Sequence, residues 1–344
     1  MARRILVALG GNAIKQANEA GTTQEQFRNC ATTAKVIVEV LGRVYTDDRV
    51  AITHGNGPQA GNLLLQQEEC TKLVPPQDFD VVGAMTQGQI GYMLSQTIHN
   101  ALLECSDWRR EMAERGWVFA VTNQVLVDIN DRSFQDPTKP VGNFYTEKEA
   151  EALVREKGFV IDPPPGKAHL EKKISGLVIK KVRPSGEKPY RRVVPSPDPI
   201  TNIEGEAIKS MLDVGFLVVA SGGGGIPVIR DENGKLKGVF AVIDKDLAGE
   251  RLAEAIGATE FYILTDVEKV KLNFGKPSQK DIDGMSVSDA KRYMKEGHFL
   301  RGSMLPKVKA CIRFLEWGGI KARIGPLSRA SEVMFGEAGT EIHK

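Results

Sequence analysis

Three apolar runs in this chain stop abruptly at glycine: Leu9-Gly10-Gly11-Asn12, His54-Gly55-Asn56-Gly57 and Ser221-Gly222-Gly223-Gly224-Gly225. Glycine admits positive φ and lets a ligand approach the backbone with no Cβ in the way. Such residues can turn successive N–H groups into one concavity, and a following helix adds its positive end. One Gly-Gly after a strand is most simply a tight turn. Three of them point instead to a site for a highly anionic ligand, with phosphates the natural class. Neither common fingerprint accompanies them. Gly166-Lys167, Gly234-Lys235 and Gly275-Lys276 are followed by Ala, Leu and Pro, so there is no Walker A loop, and the glycines of Gly55–Gly61 miss G-x-G-x-x-G by one position.

Two lysines stand where electrostatics disfavours them. Lys307 falls in the first turn of a helix expected from about Met304 to Trp317, and Lys245 adjoins Asp246 at another helix start. A cation at a helix N-terminus opposes the macrodipole by ~0.3–1 kcal/mol, a cost that a bound anion would reverse. In the plain alternative each lysine swings into solvent, while Asp246 and Asp266 are ordinary caps.

These residues need elements to hold them, and the pattern supplies them. Ile5–Leu9, Arg49–Thr53, Val118–Val121, Phe216–Ala220 and Phe261–Leu264 read as strands, and Val239–Ile243 as a further β-like segment. Between them lie helical stripes, such as Phe27, Cys30, Ala34, Ile37, Val38 and Leu41 within Thr23–Tyr45. Strands alternating with helices predict a largely parallel sheet covered on both faces, with ligand loops at the carboxyl ends of the strands. The alternation breaks from about Asp128 to Pro199, a proline-rich stretch that reads as a small lobe inserted in one domain spanning residues 1–344.

Composition narrows the function. Lys+Arg number 46 against 44 Asp+Glu, a formal net charge of +2, which gives no reason to expect nucleic acid as partner. Hydrophobic residues make up 41% and charged residues 26%, ordinary for a globular chain. The four cysteines, at 30, 70, 105 and 311, show no C-x-x-C, so a disulfide framework or structural zinc is not expected. No apolar run reaches the ~18 residues of a membrane span, and the expected location is the cytoplasm.

Longer motifs then carry a resemblance. Ala8–Ala13, Thr53–Gln59, Pro137-Thr138-Lys139-Pro140-Val141-Gly142, Arg191–Pro197, Ala220–Pro227, Val242–Ala248 and Gly302–Lys307 resemble the carbamate kinases of the amino-acid kinase superfamily, in the same order over nearly the whole chain. The resemblance implies an αβα sandwich around an eight-stranded, mainly parallel sheet with a protruding lobe, assembled as a homodimer. It implies that ATP and carbamate exchange with ADP and carbamoyl phosphate, with Mg²⁺ held mainly by the nucleotide phosphates and no protein metal ligand expected. Gly10, Gly11, Asn12, Gly55, Asn56 and Gly57 would then bind carbamate and the transferring phosphoryl. Lys139, Lys245 and Lys307 would neutralise phosphate oxygens, and Asp246 would hold the lysines. Gly222, Gly223, Gly224, Thr265, Asp266 and Val267 would serve the nucleotide.

Phosphoryl transfer asks a protein mainly for positioning and charge neutralisation. Carbamate is already anionic, so the resemblance implies no general base, and His54, the histidine beside a glycine loop, is expected to make a structural hydrogen bond. Lys139, in the lobe, is expected to reach the site only when the lobe closes. The chain departs from the family pattern at Asn143 and Tyr190 and in the length of Pro163–Lys188, all in or beside the lobe. Two other readings remain: a superfamily enzyme with a different carboxylate or phosphate acceptor, and a nucleotide-binding regulator that has lost catalysis.

Overall fold

The computed structural model describes residues 2–14, 19–163, 177–183, 186–300 and 302–344. Much of the long Pro163–Lys188 stretch lies outside the described residues, as does the side chain of Asn12. The α-helices are α1 (Thr23–Leu41), α2 (Gln59–Glu69), α3 (Phe79–Leu103), α4 (Trp108–Glu114), α5 (Glu147–Lys157), α6 (Gly205–Val214), α7 (Lys245–Ile256), α8 (Val287–Lys295), α9 (Met304–Trp317) and α10 (Ala330–Phe335).

An eight-stranded sheet forms the centre, in the order Gly284–Ser286, Thr340–His343, Lys321–Pro326, Glu260–Thr265, Arg4–Leu9, Arg49–His54, Leu217–Val219 and Val118–Ala120. Its neighbours run parallel except Lys321–Pro326 against Thr340–His343. Alternation along the first strand shows why it is central. Ile5, Val7 and Leu9 pack with α1, α3 and α10 on one face, while Leu6 and Ala8 pack with α6, α7 and α9 on the other. A strand buried on both sides must be apolar throughout, as Ile5–Leu9 is. Its carboxyl end therefore emerges between two helical layers, which is where the glycines fall.

Local chemistry sets the helix starts. Thr22 caps α1 in a reciprocal box with Glu25, worth ~1 kcal/mol. Asp244 caps α7, its side chain accepting from the Asp246 N–H. The expected helix Met304–Trp317 is α9. The expected strand Val239–Ile243 is not a strand. Its Val239 N–H goes to Pro227 O and its Val242 N–H to Pro195 O, two different neighbours, so no ladder forms. Ala241 and Ile243 instead bury beside Val125, Val127 and Phe134.

A second sheet orders Leu236–Gly238, Ile226–Arg230, Gln124–Val127 and Pro199–Asn202. A third carries Lys139–Tyr145, Tyr190–Val194, Val178–Lys181 and Val160–Ile161, with α5 against it. Two features seat this third sheet on α2. A Cβ on Gly61 would lie 2.6 Å from Gly142 Cα, so the two backbones touch, and the buried Arg192 pairs with Glu68. Gly142 has φ 69° at the break in register between Val141 and Phe144, so the bulge needs glycine there. Asn143, a departure from the family pattern, sits inside that bulge. Among the described residues no helix is long and apolar enough to cross a membrane.

Candidate active site

The three glycine loops meet at the carboxyl edge of the central sheet. Gly10 N–H donates to Leu264 O at 2.8 Å and Gly55 N–H to Leu9 O at 3.3 Å, tying the loops to adjacent strands. A Cβ on Gly11 would lie 3.9 Å from Gly57 Cα, and one on Gly55 would lie 3.8 Å from Gly11 N and 3.2 Å from Lys245 Cδ. The alkyl stem of Lys245 thus lies across Gly55, where any side chain would crowd it.

Lys245 and Lys307 do not swing into solvent. Their side chains are 14% and 13% exposed, and both reach one carboxylate: Lys245 Nζ lies 2.5 Å from Asp246 Oδ1 and Lys307 Nζ 2.7 Å from Oδ2. Asp246 is not the cap of α7 either, because Asp244 is. Burial alone would raise the Asp246 carboxyl, but the two ammonium groups outweigh it and hold it far below the usual carboxylate range. Burial and the charge of Lys307 lower the pKa of Lys245 despite Asp246. Burial also works against Lys307, yet Asp246, Asp244 and Asp266 leave its pKa raised.

Lys139 Nζ lies 2.7 Å from Asp244 Oδ2, and Asp244 Oδ1 accepts from the Asp246 N–H at 3.0 Å. Lys139 is therefore tied to the residue that precedes Lys245 in sequence. Its strand, Lys139–Tyr145, is held by antiparallel pairing with Tyr190–Val194 and by the seat on α2, which fix the lysine's approach. Asp244 escaped the sequence reading. An aspartate before a helix looks like an N-cap and is one, but nothing local says that its second oxygen faces a lobe residue 105 positions away. Lys139, Lys245 and Lys307 thus gather round Asp244 and Asp246, with the charge of Asp266 also felt at Lys307.

The tetraglycine is buried for packing reasons as well as any chemical ones. A Cβ on Gly222 would come within 2.4 Å of His54 Nε2, on Gly223 within 2.7 Å of Asn56 Nδ2, and on Gly224 within 2.4 Å of Ile243 O. Gly223, Gly224 and Gly225 also have positive φ. These residues lie beneath the Gly55–Gly57 loop. Thr265 and Asp266, by contrast, line a cavity of about 540 Å³ together with Gly10, Gly11 and residues of α1. Thr265 Oγ1 donates to Asp266 Oδ1 at 3.0 Å, and Val267 follows them, half-buried. The residues expected to serve the nucleotide therefore fall in two places on the sheet edge.

His54 is fully buried, with Nδ1 2.9 Å from Gly55 O. Burial, supported by Lys245, pushes its pKa down to about 4, although the bond to Gly55 works the other way. It is neutral at physiological pH and shapes the glycine turn. Among the described residues no three His, Cys, Asp or Glu gather into a metal-ligand set, and the carboxylates of Asp244 and Asp246 are already engaged by lysines.

The fold and this edge define an enzyme class, and comparison agrees. The amino acid kinase family model matches residues 3–326. The chain is 47% identical over 342 residues to the carbamate kinase of Thermococcus kodakarensis, covering 99% of each, and 44% identical over 344 residues to that of Pyrococcus furiosus, again 99% of each. A solved carbamate kinase from Giardia lamblia bound to AMP-PNP superposes with a TM-score of 0.81 at 36% identity, covering 100% of this chain and 99% of that one. The chain belongs to the amino acid kinase family, and within it to the carbamate kinases.

Proposed function

We infer that this chain transfers a phosphoryl group reversibly between MgATP and carbamate, giving ADP and carbamoyl phosphate. The observation that carries the reading is the Asp246 carboxylate held between Lys245 and Lys307 against the Gly55 loop. A carbamate oxygen attacks the γ-phosphorus, the bond to the bridging oxygen breaks, and ADP leaves with that electron pair. Negative charge spreads over the transferring phosphoryl oxygens, where fixed ammonium and N–H donors in a water-poor site act most strongly.

Lys245 and Lys307 take the phosphoryl oxygens, and Asp246 keeps both ammonium groups charged and in place. The N–H groups of Gly11, Asn12, Asn56 and Gly57 line the path of the acceptor and phosphoryl, while Gly10 and Gly55, whose own N–H groups bond Leu264 O and Leu9 O, let it approach with no Cβ in the way. Lys139, from the lobe of residues 128–199, closes the cluster. Gly222–Gly224, Thr265, Asp266 and Val267 serve the nucleotide. Mg²⁺ enters as part of the metal–nucleotide substrate and offsets phosphate charge. No base is needed, since carbamate binds as an anion and the buried His54 is neutral.

The partner is a second copy of the chain. Val81, Met85 and Tyr92 recur at helical spacing on the outward side of α3 and are exposed, a stripe that a homodimer would cover. Light scattering after gel filtration checks this through a particle of twice the chain mass.

A coupled assay tests the reaction: ATP formed from ADP and carbamoyl phosphate, beside acetylglutamate and aspartate offered with ATP. ATP formation confined to carbamoyl phosphate supports the reading. Turnover of another acceptor instead would move the enzyme elsewhere in the family, and nucleotide binding without turnover would make it a regulator.

A further inference from the structure

Asp198 lies where the lobe rejoins the main body, one residue before the strand Pro199–Asn202. That strand pairs antiparallel with Gln124–Val127, from which the lobe departs. The two form a neck, and the Asp198 N–H closes it by donating to Asp131 Oδ2 at 3.1 Å. The Asp198 side chain points away from the neck. Its Oδ2 accepts from Lys309 Nζ at 2.7 Å and its Oδ1 from Arg313 Nη1 at 2.6 Å. Both donors are on α9, the helix whose first turn holds Lys307.

Arg313 also reaches a second carboxylate. Its Nε lies 3.0 Å from Glu250 Oε2, and the Glu250 side chain is 0% exposed. Glu250 stands on α7 one turn beyond Asp246. One guanidinium therefore joins the neck of the lobe, α9 and α7, the three parts that carry Lys139, Lys307 and Lys245. The contact to Asp198 is a hydrogen bond and that to Glu250 a charge pairing, so one rigid guanidinium plane spans both carboxylates. Exposed ion pairs are worth only ~0–1 kcal/mol, so the half-exposed Asp198 contributes little to stability. Its geometric effect is larger, because it sits at the neck on which the lobe's position depends.

We propose that Arg313 is a positioning residue, which through Asp198 and Glu250 sets the lobe's lysine in register with the lysines of α7 and α9. This rests on the reading of Lys139, Lys245 and Lys307 as the phosphoryl site.

The test uses the full-length enzyme with Asp198→Asn, Arg313→Gln, the double variant and Arg313→Lys, and with Lys307→Met alongside. The expected loss in kcat is on the order of tenfold to a hundredfold, as for reacting groups displaced by ~1 Å. KM for ADP stays within about twofold, since ground-state binding is untouched. The double variant loses less than the product of the two single losses, because the Asp198–Arg313 link is common to both, and Arg313→Lys recovers part of kcat. If Arg313→Gln, which strands Glu250 in the core, fails to fold, Asp198→Asn carries the test. Unchanged kcat in Asp198→Asn, losses that multiply in the double variant, or KM for ADP rising in step with the loss would overturn the proposal. Turnover surviving in Lys307→Met would overturn the site reading, and this inference with it. Loss in Lys307→Met without loss in Asp198→Asn overturns the positioning role alone.

Discussion

Lys307 Nζ lies 2.7 Å from Asp246 Oδ2 although 61 residues separate the two in sequence. The contact joins the first turns of α9 and α7, two helix N-termini that each carry a lysine against the sense of the macrodipole. Asp246 offsets part of that cost in the free protein. On the proposed reading, the phosphoryl group supplies the rest of that compensation.

Replacing either lysine tests this. In the proposed mechanism, Lys245→Met or Lys307→Met removes one charged donor to the transferring phosphoryl. The expected cost is ~3–4 kcal/mol, or on the order of 10²–10³ in kcat, as for loss of one preorganised donor. Folded variants that keep more than half the parent turnover would remove these residues from the mechanism.

Lys139→Ala separates lobe from nucleotide. Lys139 touches Asp244 rather than the cavity beside Thr265 and Asp266. Turnover should fall, while ADP affinity measured by calorimetry stays near the parent value. An equal loss of ADP binding would make Lys139 a nucleotide residue or a fold residue.

His54→Asn addresses the acid side of the pH profile. The folded pKa of His54 is about 4 against an ordinary 6.5. The unfolded chain therefore takes up a proton that the native protein refuses. The stabilisation is complete above pH 6.5 and is lost as pH falls towards 4. His54→Asn should melt with a shallower acid dependence over that window. Its pH–rate profile, corrected for the equilibrium of carbamate with ammonia and bicarbonate, should keep its shape near pH 6–7. A limb that disappears there would reveal a base.

Glu250 has the opposite sign. Burial, only partly offset by Arg313 and Arg251, raises its carboxyl to about 7 from an ordinary 4.5. The native state keeps a proton that the unfolded chain has released. Its contribution is full below pH 4.5 and is lost as pH rises to 7, at up to ~1.4 kcal/mol per pH unit. Denaturant titrations of Glu250→Gln should show the variant gaining on the parent between pH 5 and pH 8. Parallel pH dependences would place the Glu250 pKa at its ordinary value.

The parallel core was legible because burial on both faces demands unbroken apolar strands. Ile5–Leu9, Arg49–Thr53 and Phe261–Leu264 carry that demand in their residue types. Local rules likewise gave α9 its limits and marked the glycine ends as places where backbone approaches ligand. Val239–Ile243 has the same composition as a strand and is not one, since β structure needs a neighbour and its N–H groups meet two different ones.

The residue types by themselves determined a parallel sheet with glycines at the carboxyl ends of its strands and lysines at two helix starts. The resemblance implied that Asp246 holds lysines, but only the tertiary structure decided that Asp244 meets Lys139 and that Arg313 ties the lobe's neck to both helices. The physical reason is range. Helix caps, strand periodicity and glycine turns are set by neighbours a few positions away. An ion pair across 61 or 105 residues exists only once packing has brought its helices and strands together, and no local preference records it.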